Sequence, residues 1–201
     1  LICFENDENE LIGSVPFCEQ YIHFIEGTDP SDSIFNYISY KPQINVYSPL
    51  YKGENKSYFR FKLKIKNLGN TPIENPKIII QANGNYEKIG DENIDCVIIT
   101  PNAQTDIEIN KSQGNFFINP HRNVFALEEE YITNIICIKP KIEGSVIELS
   151  WKLISNSFKK EGILKIKIET YLIRKYLNKY VEFRQHVRVE KNIEDYFEEN
   201  E

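Results

Sequence analysis

Apolar and polar residues alternate along much of the chain, most cleanly between Phe59 and Lys66. There Phe59, Phe61, Leu63 and Ile65 fall on one side and Arg60, Lys62, Lys64 and Lys66 on the other. A two-residue period is that of a β-strand with one buried face, because successive side chains point to opposite sides. The stretch NLGNTPIENP follows, rich in residues that adopt positive φ or fix φ near turn values, and leads to a second strand over 77–81 that is nearly all Ile.

Strand signals recur along the rest of the chain. QINVYS lies between Pro42 and Pro49, and further strands are expected over 95–100, 105–109, 131–139, 146–154, 163–172 and 180–189. Short strands at this spacing, punctuated by turns, predict a sandwich or barrel rather than βαβ units. All nine prolines precede Lys141. Proline cannot donate to a sheet ladder, so the strands around Trp151 and Ile166 are expected at central positions, with Trp151 as a core anchor.

Residues 1–40 lack a clean period and read as an irregular, partly helical lead-in that packs on the sandwich. Ser31 could cap a short helix carrying Ile34, Tyr37 and Ile38 on one face, and the same residues could form a strand. Residues 41–189 read as the sandwich and 190–201 as an acidic tail. In the tail, Ile193, Tyr196 and Phe197 have the spacing of one amphipathic helical turn. They are either a frayed end or a docking peptide for a partner's groove. The chain begins at Leu1 and contains no Met, which is expected of a processed chain or of a piece of something longer.

Composition narrows the function classes. A net charge of −6 disfavours general nucleic-acid binding, which needs a basic face to replace counterions. No uncharged apolar run reaches the roughly 18 residues of a membrane helix. Cys3, Cys18, Cys96 and Cys137 form no Cys-x-x-Cys pair, so zinc and thiol-redox chemistry lack their local signature. Cys96 and Cys137 lie in apolar strands, where they are either buried thiols or a disulfide between sheets. The thiol reading suits a reducing, cytoplasmic setting; a bridge would suit export.

Catalytic signatures are missing. His23, His121 and His186 are scattered, with no second ligand at metal spacing. His121, in the turn NPHRN, would be the most exposed of them. No glycine pattern cradles phosphate, and no serine sits in a nucleophile elbow. Asp91, Asn93 and Asp95 have the alternate spacing of a calcium loop. Cys96 and Asn102 then occupy the positions of its glycine and its bidentate glutamate, so the reading is a solvated turn. Glu128, Glu129 and Glu130 read as a solvated acidic cluster. No metal, cofactor or catalytic residue is expected.

The residues FKLKIKNLGNTPIENPKIII resemble the second and third strands of bacterial immunoglobulin-like domains of the cell-adhesion-related type, with Lys66 to Pro72 carrying the match. The resemblance extends in outline over residues 41–172. It implies an immunoglobulin-like antiparallel sandwich used as a spacer or binding module, without catalytic residues. The chain departs from that pattern in a long segment from Asn83 to Tyr131 and in both terminal regions.

The expected function is therefore a non-catalytic interaction or scaffolding module of a larger bacterial protein. Its partner would be another protein or an adjoining domain of the same chain. Alternatives are a surface adhesion or carbohydrate-binding module, and a regulatory domain attached to a nucleic-acid effector. The candidate binding residues are the basic stripe Arg60, Lys62, Lys64 and Lys66, together with Ile193, Tyr196 and Phe197. The stripe would attract an anionic partner unless neighbouring carboxylates, for instance Glu148 or Glu169, balance it as one wet sheet face.

Overall fold

The computed structural model describes residues 1–27, 54–91, 107–110, 115–118, 124–181 and 183–198. Among them the fold is all-β and sandwich-like; the helical element is one 3-10 turn at Arg184–His186. Among the described residues no helix is long and apolar enough to cross a membrane. The expected helix at Ser31, the strands over 42–49 and 95–100, Cys96 and His121 lie outside the described residues.

The chain divides into two compact units, Leu1–Val15 with Tyr58–Thr170 and Pro16–Ser57 with Tyr171–Glu201. Each unit is built from separated segments, because two long strands, β2 (Glu10–Glu26) and β15 (Lys159–Val181), each contribute to both.

The first unit contains β1 (Ile2–Phe4), β4 (Phe59–Phe61), β5 (Leu63–Lys66), β6 (Ile73–Glu74), β7 (Lys77–Gly84) and β8 (Tyr86–Asp91). It continues with β9 (Ile107–Asn110), β10 (Asn115–Ile118), β11 (Val124–Phe125), β12 (Glu130–Ile132), β13 (Ile136–Pro140) and β14 (Ser145–Ile154). One sheet runs in the order β15–β14–β7–β10–β9; β1–β5–β12 and β4–β13–β8 form two three-stranded ladders. The strand around Trp151 is central, with β15 on one side and β7 on the other.

The core follows from the alternation. On β14, Ile147, Leu149, Trp151 and Leu153 are buried, and on β15 Leu164, Ile166 and Ile168. Ile78, Ile80, Phe116 and Ile118 add to the same sheet, and Phe4, Leu63, Ile65, Ile136 and Ile138 come from the shorter ladders. Trp151 pairs across the ladder with Gly162. A Cβ at Gly162 would lie 2.5 Å from the indole Cζ2, so only glycine lets the ring lie over that strand.

The run from Phe59 to Lys66 is one strand by pattern and two in the fold. It breaks at Lys62, leaving the ladder with β13 and entering that with β1 and β12. The partner chain breaks at the same level, between β12 and β13. There Thr133 bridges the gap: its hydroxyl accepts from the Leu63 N–H (3.0 Å) and its own N–H donates to the Leu63 carbonyl (2.9 Å). The turn that follows is organised by the buried Asn67. Its amide nitrogen donates to the carbonyls of Thr71 (3.0 Å), Phe125 (3.2 Å) and Ala126 (3.2 Å), and its side-chain oxygen accepts from the Gly69 N–H (3.0 Å).

The second unit is a ribbon of three strands in the order β16–β2–β15, where β16 spans Arg188–Asp195. β16 is antiparallel to β2, pairing Arg188 with Phe24 and Asp195 with Phe17. β15 runs parallel to β2: Glu19 meets Arg174, Tyr21 meets Tyr176, Phe24 meets Lys179, and Gly27 bonds to Val181. A two-stranded ladder joins β17 (Phe197–Glu198) to β3 (Glu54–Asn55). The tail is thus held in strands, and the helical spacing of Ile193, Tyr196 and Phe197 is not realised. A single isolated helical turn cannot compete with a ladder that satisfies the backbone of the same residues.

Candidate interaction surfaces

The basic stripe is partly neutralised by short ion pairs. Lys64 is buried, 9% exposed, beneath the turn after β1. Its Nζ lies 2.9 Å from Oδ2 of Asp7, a residue held at φ 66°. That hydrogen bond raises the Lys64 pKa above the ordinary lysine value and holds Asp7 below the ordinary aspartate value. Lys66 meets Glu130, its direct cross-strand partner, at 2.5 Å, and the same contact raises its pKa. Arg60 lies opposite Cys137 on β13. Lys62 sits at the break between β4 and β5, its carbonyl accepting from the Glu5 N–H at 3.3 Å. The balancing carboxylates are thus Asp7 and Glu130; Glu148 faces Lys165, and Glu169 holds Lys167 at 2.8 Å.

The three tail residues take different places within the second unit. Ile193 lies opposite Glu19 on the ribbon and is exposed. Tyr196 is half-buried: its N–H donates to the Ser57 hydroxyl (2.8 Å), its carbonyl accepts from the Lys56 N–H (2.9 Å), and Lys175 lies 5.4 Å above its ring. Phe197 pairs with Asn55. Asn55 is itself buried and donates to Asp195 at 3.0 Å.

A surface that pattern reading did not single out lies on the ribbon. Tyr21 and Tyr176 stack with ring centroids 5.3 Å apart and planes 18° apart; Tyr176 remains 65% exposed. His23 lies 6.2 Å from the Tyr176 ring and Lys191 5.8 Å above Tyr21. Beside them Glu19 is buried between two cations, Lys191 at 2.6 Å and Arg174 at 2.9 Å. Their hydrogen bonds, Lys191 first, pull the Glu19 pKa below the ordinary glutamate value. On the other face Phe24 lies between Arg188, 4.0 Å from its centroid, and Lys179, 5.9 Å away. Tyr171, Leu172, Leu177 and Tyr180 are exposed along the same stretch of β15. The signal in the sequence was KYLNKY, aromatic and basic residues together in the 171–181 stretch of β15, which carries no carboxylate.

His186 belongs to the exposed 3-10 turn and its ring meets Phe183 edge-on at 5.8 Å. Among the described residues no group of three or more His, Cys, Asp or Glu side chains is placed to hold a metal. Cys3, Cys18 and Cys137 are buried, and burial raises the pKa of the Cys3 and Cys18 thiols. A pairing of Cys137 with Cys96 lies outside the described residues.

No family model matches the sequence, and no curated protein matches it. Solved structures with some likeness include the GH20 exo-β-N-acetylglucosaminidase of Vibrio harveyi in complex with N-acetylglucosamine (TM-score 0.30, 8% identity, 78% of this chain). An inactive mutant of that enzyme gives a TM-score of 0.29 at 8% identity over 78% of this chain. The chain spans 18% of the length of these enzyme chains. A cohesin module from a Clostridium perfringens ATCC13124 family 33 glycoside hydrolase gives 0.33 at 11% identity, covering 56% of this chain and 87% of the module. Likenesses at this level carry no argument about activity or ligand.

Proposed function

We propose that the chain is a non-catalytic interaction module that binds a protein partner through the exposed 171–181 stretch of β15 in the second unit. The observation that supports this reading is the character of β15 between Tyr171 and Val181. Five large aromatic or aliphatic side chains there are exposed, Leu172, Tyr176 and Tyr180 on one face of the strand and Tyr171 and Leu177 on the other, and three cations accompany them with no carboxylate. Exposed apolar surface costs solvation free energy, and aromatic side chains interleaved with cations have the composition of a docking surface. Lys64 and Lys66, by contrast, already hold carboxylates.

The test compares the wild-type chain with a Tyr176→Ser, Leu177→Ser double variant. Both are immobilised and offered cell extract, oligonucleotides and a panel of glycans, with circular dichroism to establish an intact fold. A specific protein bound by the wild type and lost by the variant is the expected result. An identical bound set for both chains overturns the assignment of the surface.

A further inference from the structure

The two edges of the ribbon differ. β16 is one edge, and five of its eight residues are charged: Arg188, Glu190, Lys191, Glu194 and Asp195. Mixed charge of this density is how natural sheets keep an edge from recruiting another strand. The opposite edge belongs to β15. Its ladder with β14 ends at the Ser145–Ile168 pair. Beyond it, from Tyr171 to Val181, no strand lies on that side among the described residues.

Backbone polarity fixes which groups this edge presents. The Val181 carbonyl accepts from the Gly27 N–H at 3.1 Å, so Val181 points its backbone groups at β2. Lys165, in the same phase, donates to the Asn9 carbonyl at 2.9 Å. Alternate residues point the other way. Leu172, Arg174, Tyr176, Asn178 and Tyr180 therefore direct N–H and C=O groups away from β2. This edge has no proline, no glycine and no acidic residue to blunt it.

We infer that this edge of β15 receives an extended, acidic segment of a partner polypeptide as an added strand. The inference rests on the interaction surface proposed above and names its partner and geometry. Backbone bonds to the five outward-facing residues would supply register-independent affinity, and alternate side-chain pockets would supply specificity. The sign of the partner follows from Lys175 and Lys179. Both lie on one face, four residues or about 13 Å apart, and among the described residues neither has a carboxylate partner. Leu177 lies between them, so acidic, apolar, acidic at alternate positions is the complementary pattern. A second copy of the 171–181 stretch would bring like charges together, because that stretch carries three cations and no carboxylate.

The experiment uses the full chain and two fluorescein-labelled ten-residue peptides. One alternates Glu with Val and Thr, and the other has Lys in place of every Glu. Fluorescence anisotropy should show binding of the first peptide only. Amide hydrogen exchange should slow at Leu172, Arg174, Tyr176, Asn178 and Tyr180 when it binds. Asn178→Pro removes one outward donor while leaving the bonds to β2 in place, and should abolish binding. A Lys175→Glu, Lys179→Glu variant should lose at least tenfold in affinity for the acidic peptide and gain binding to the basic one.

Binding lost in the Tyr176→Ser, Leu177→Ser variant without protection of the edge amides would leave the surface in place and overturn strand addition. No peptide binding up to millimolar concentration overturns strand addition as well. Concentration-dependent self-association removed by Asn178→Pro would make a second copy the occupant and overturn the acidic partner. Binding of oligo(dT) without edge protection overturns a polypeptide ligand altogether.

Discussion

β15 is one strand with two environments. Between Ile163 and Thr170 its residues alternate between exposed or half-exposed and buried, with Leu164, Ile166 and Ile168 each at most 1% exposed. Between Tyr171 and Val181 no residue is buried. Both halves are rich in strand-forming residues. What separates them is whether a layer covers one face and a neighbour covers the second edge. The first half has β14 beside it and a core on its inner face; the second has β2 alone as a described neighbour. Strand propensity decides the backbone conformation, and packing decides whether that strand is core or surface.

The contrast predicts a steep difference in mutational cost. Phe116, fully buried in the first unit, should lose about 3–5 kcal/mol of stability on truncation to Ala. Urea unfolding checks this, and a loss under about 1 kcal/mol would mean that the core is not packed as described. Next is Gly162→Val, which drives a branched side chain into the Trp151 ring and should cost about 1–3 kcal/mol. Trp151 fluorescence should shift with it, because the ring must move; an unchanged emission maximum would contradict the close approach.

A smaller effect is expected at Glu19, and it is pH-dependent. Its pKa is depressed in the folded protein by the Lys191 and Arg174 contacts. The ion triad therefore stabilises the ribbon above the ordinary glutamate value of 4.5, and the contribution is lost as pH falls through the lower folded value. Both cations stay charged throughout that range. Glu19→Gln should flatten the acid limb of the melting-temperature profile for the second unit; an acid limb identical to wild type would show the triad to be energetically silent. Smallest is Leu177→Ala, which removes an exposed side chain and should change stability by no more than about 0.5 kcal/mol. The same substitution should weaken partner binding, which separates a docking residue from a structural one.

Much of the first unit was legible in the sequence. The alternation over 146–154 and 163–168 maps onto buried and exposed faces residue by residue, because a half-covered strand has only one register that keeps apolar groups from water. The turn at Asn67 was legible by composition; its hydrogen bonds to Phe125 and Ala126 were not, since they join residues far apart in the chain. The break at Lys62 was invisible, because Phe59 to Lys66 alternates without interruption and the break lies in the partner chain. The strands of the tail were not legible for a related reason. Its spacing allowed a helical turn, but Arg188–Asp195 finds a complete ladder on β2, and a satisfied ladder outweighs weak local periodicity.

The candidate surface was the least legible part. The basic stripe on Arg60, Lys62, Lys64 and Lys66 was conspicuous in the sequence, yet Asp7 and Glu130 reach Lys64 and Lys66 from elsewhere in the chain. Most of KYLNKY lies between the strands expected over 163–172 and 180–189. Only its parallel pairing with β2 revealed a stacked tyrosine pair and, among the described residues, an edge with no strand beside it.

The sequence by itself determined that this chain forms strands, which residues face a core in the first unit, and that tight turns join them. These are local properties, set by side-chain alternation and backbone preference. The tertiary structure decided which strands became neighbours, which charges were balanced, and which edge has no strand beside it among the described residues. Those outcomes depend on contacts between residues as distant as Glu19 and Arg174, and no local pattern encodes which distant residue will arrive.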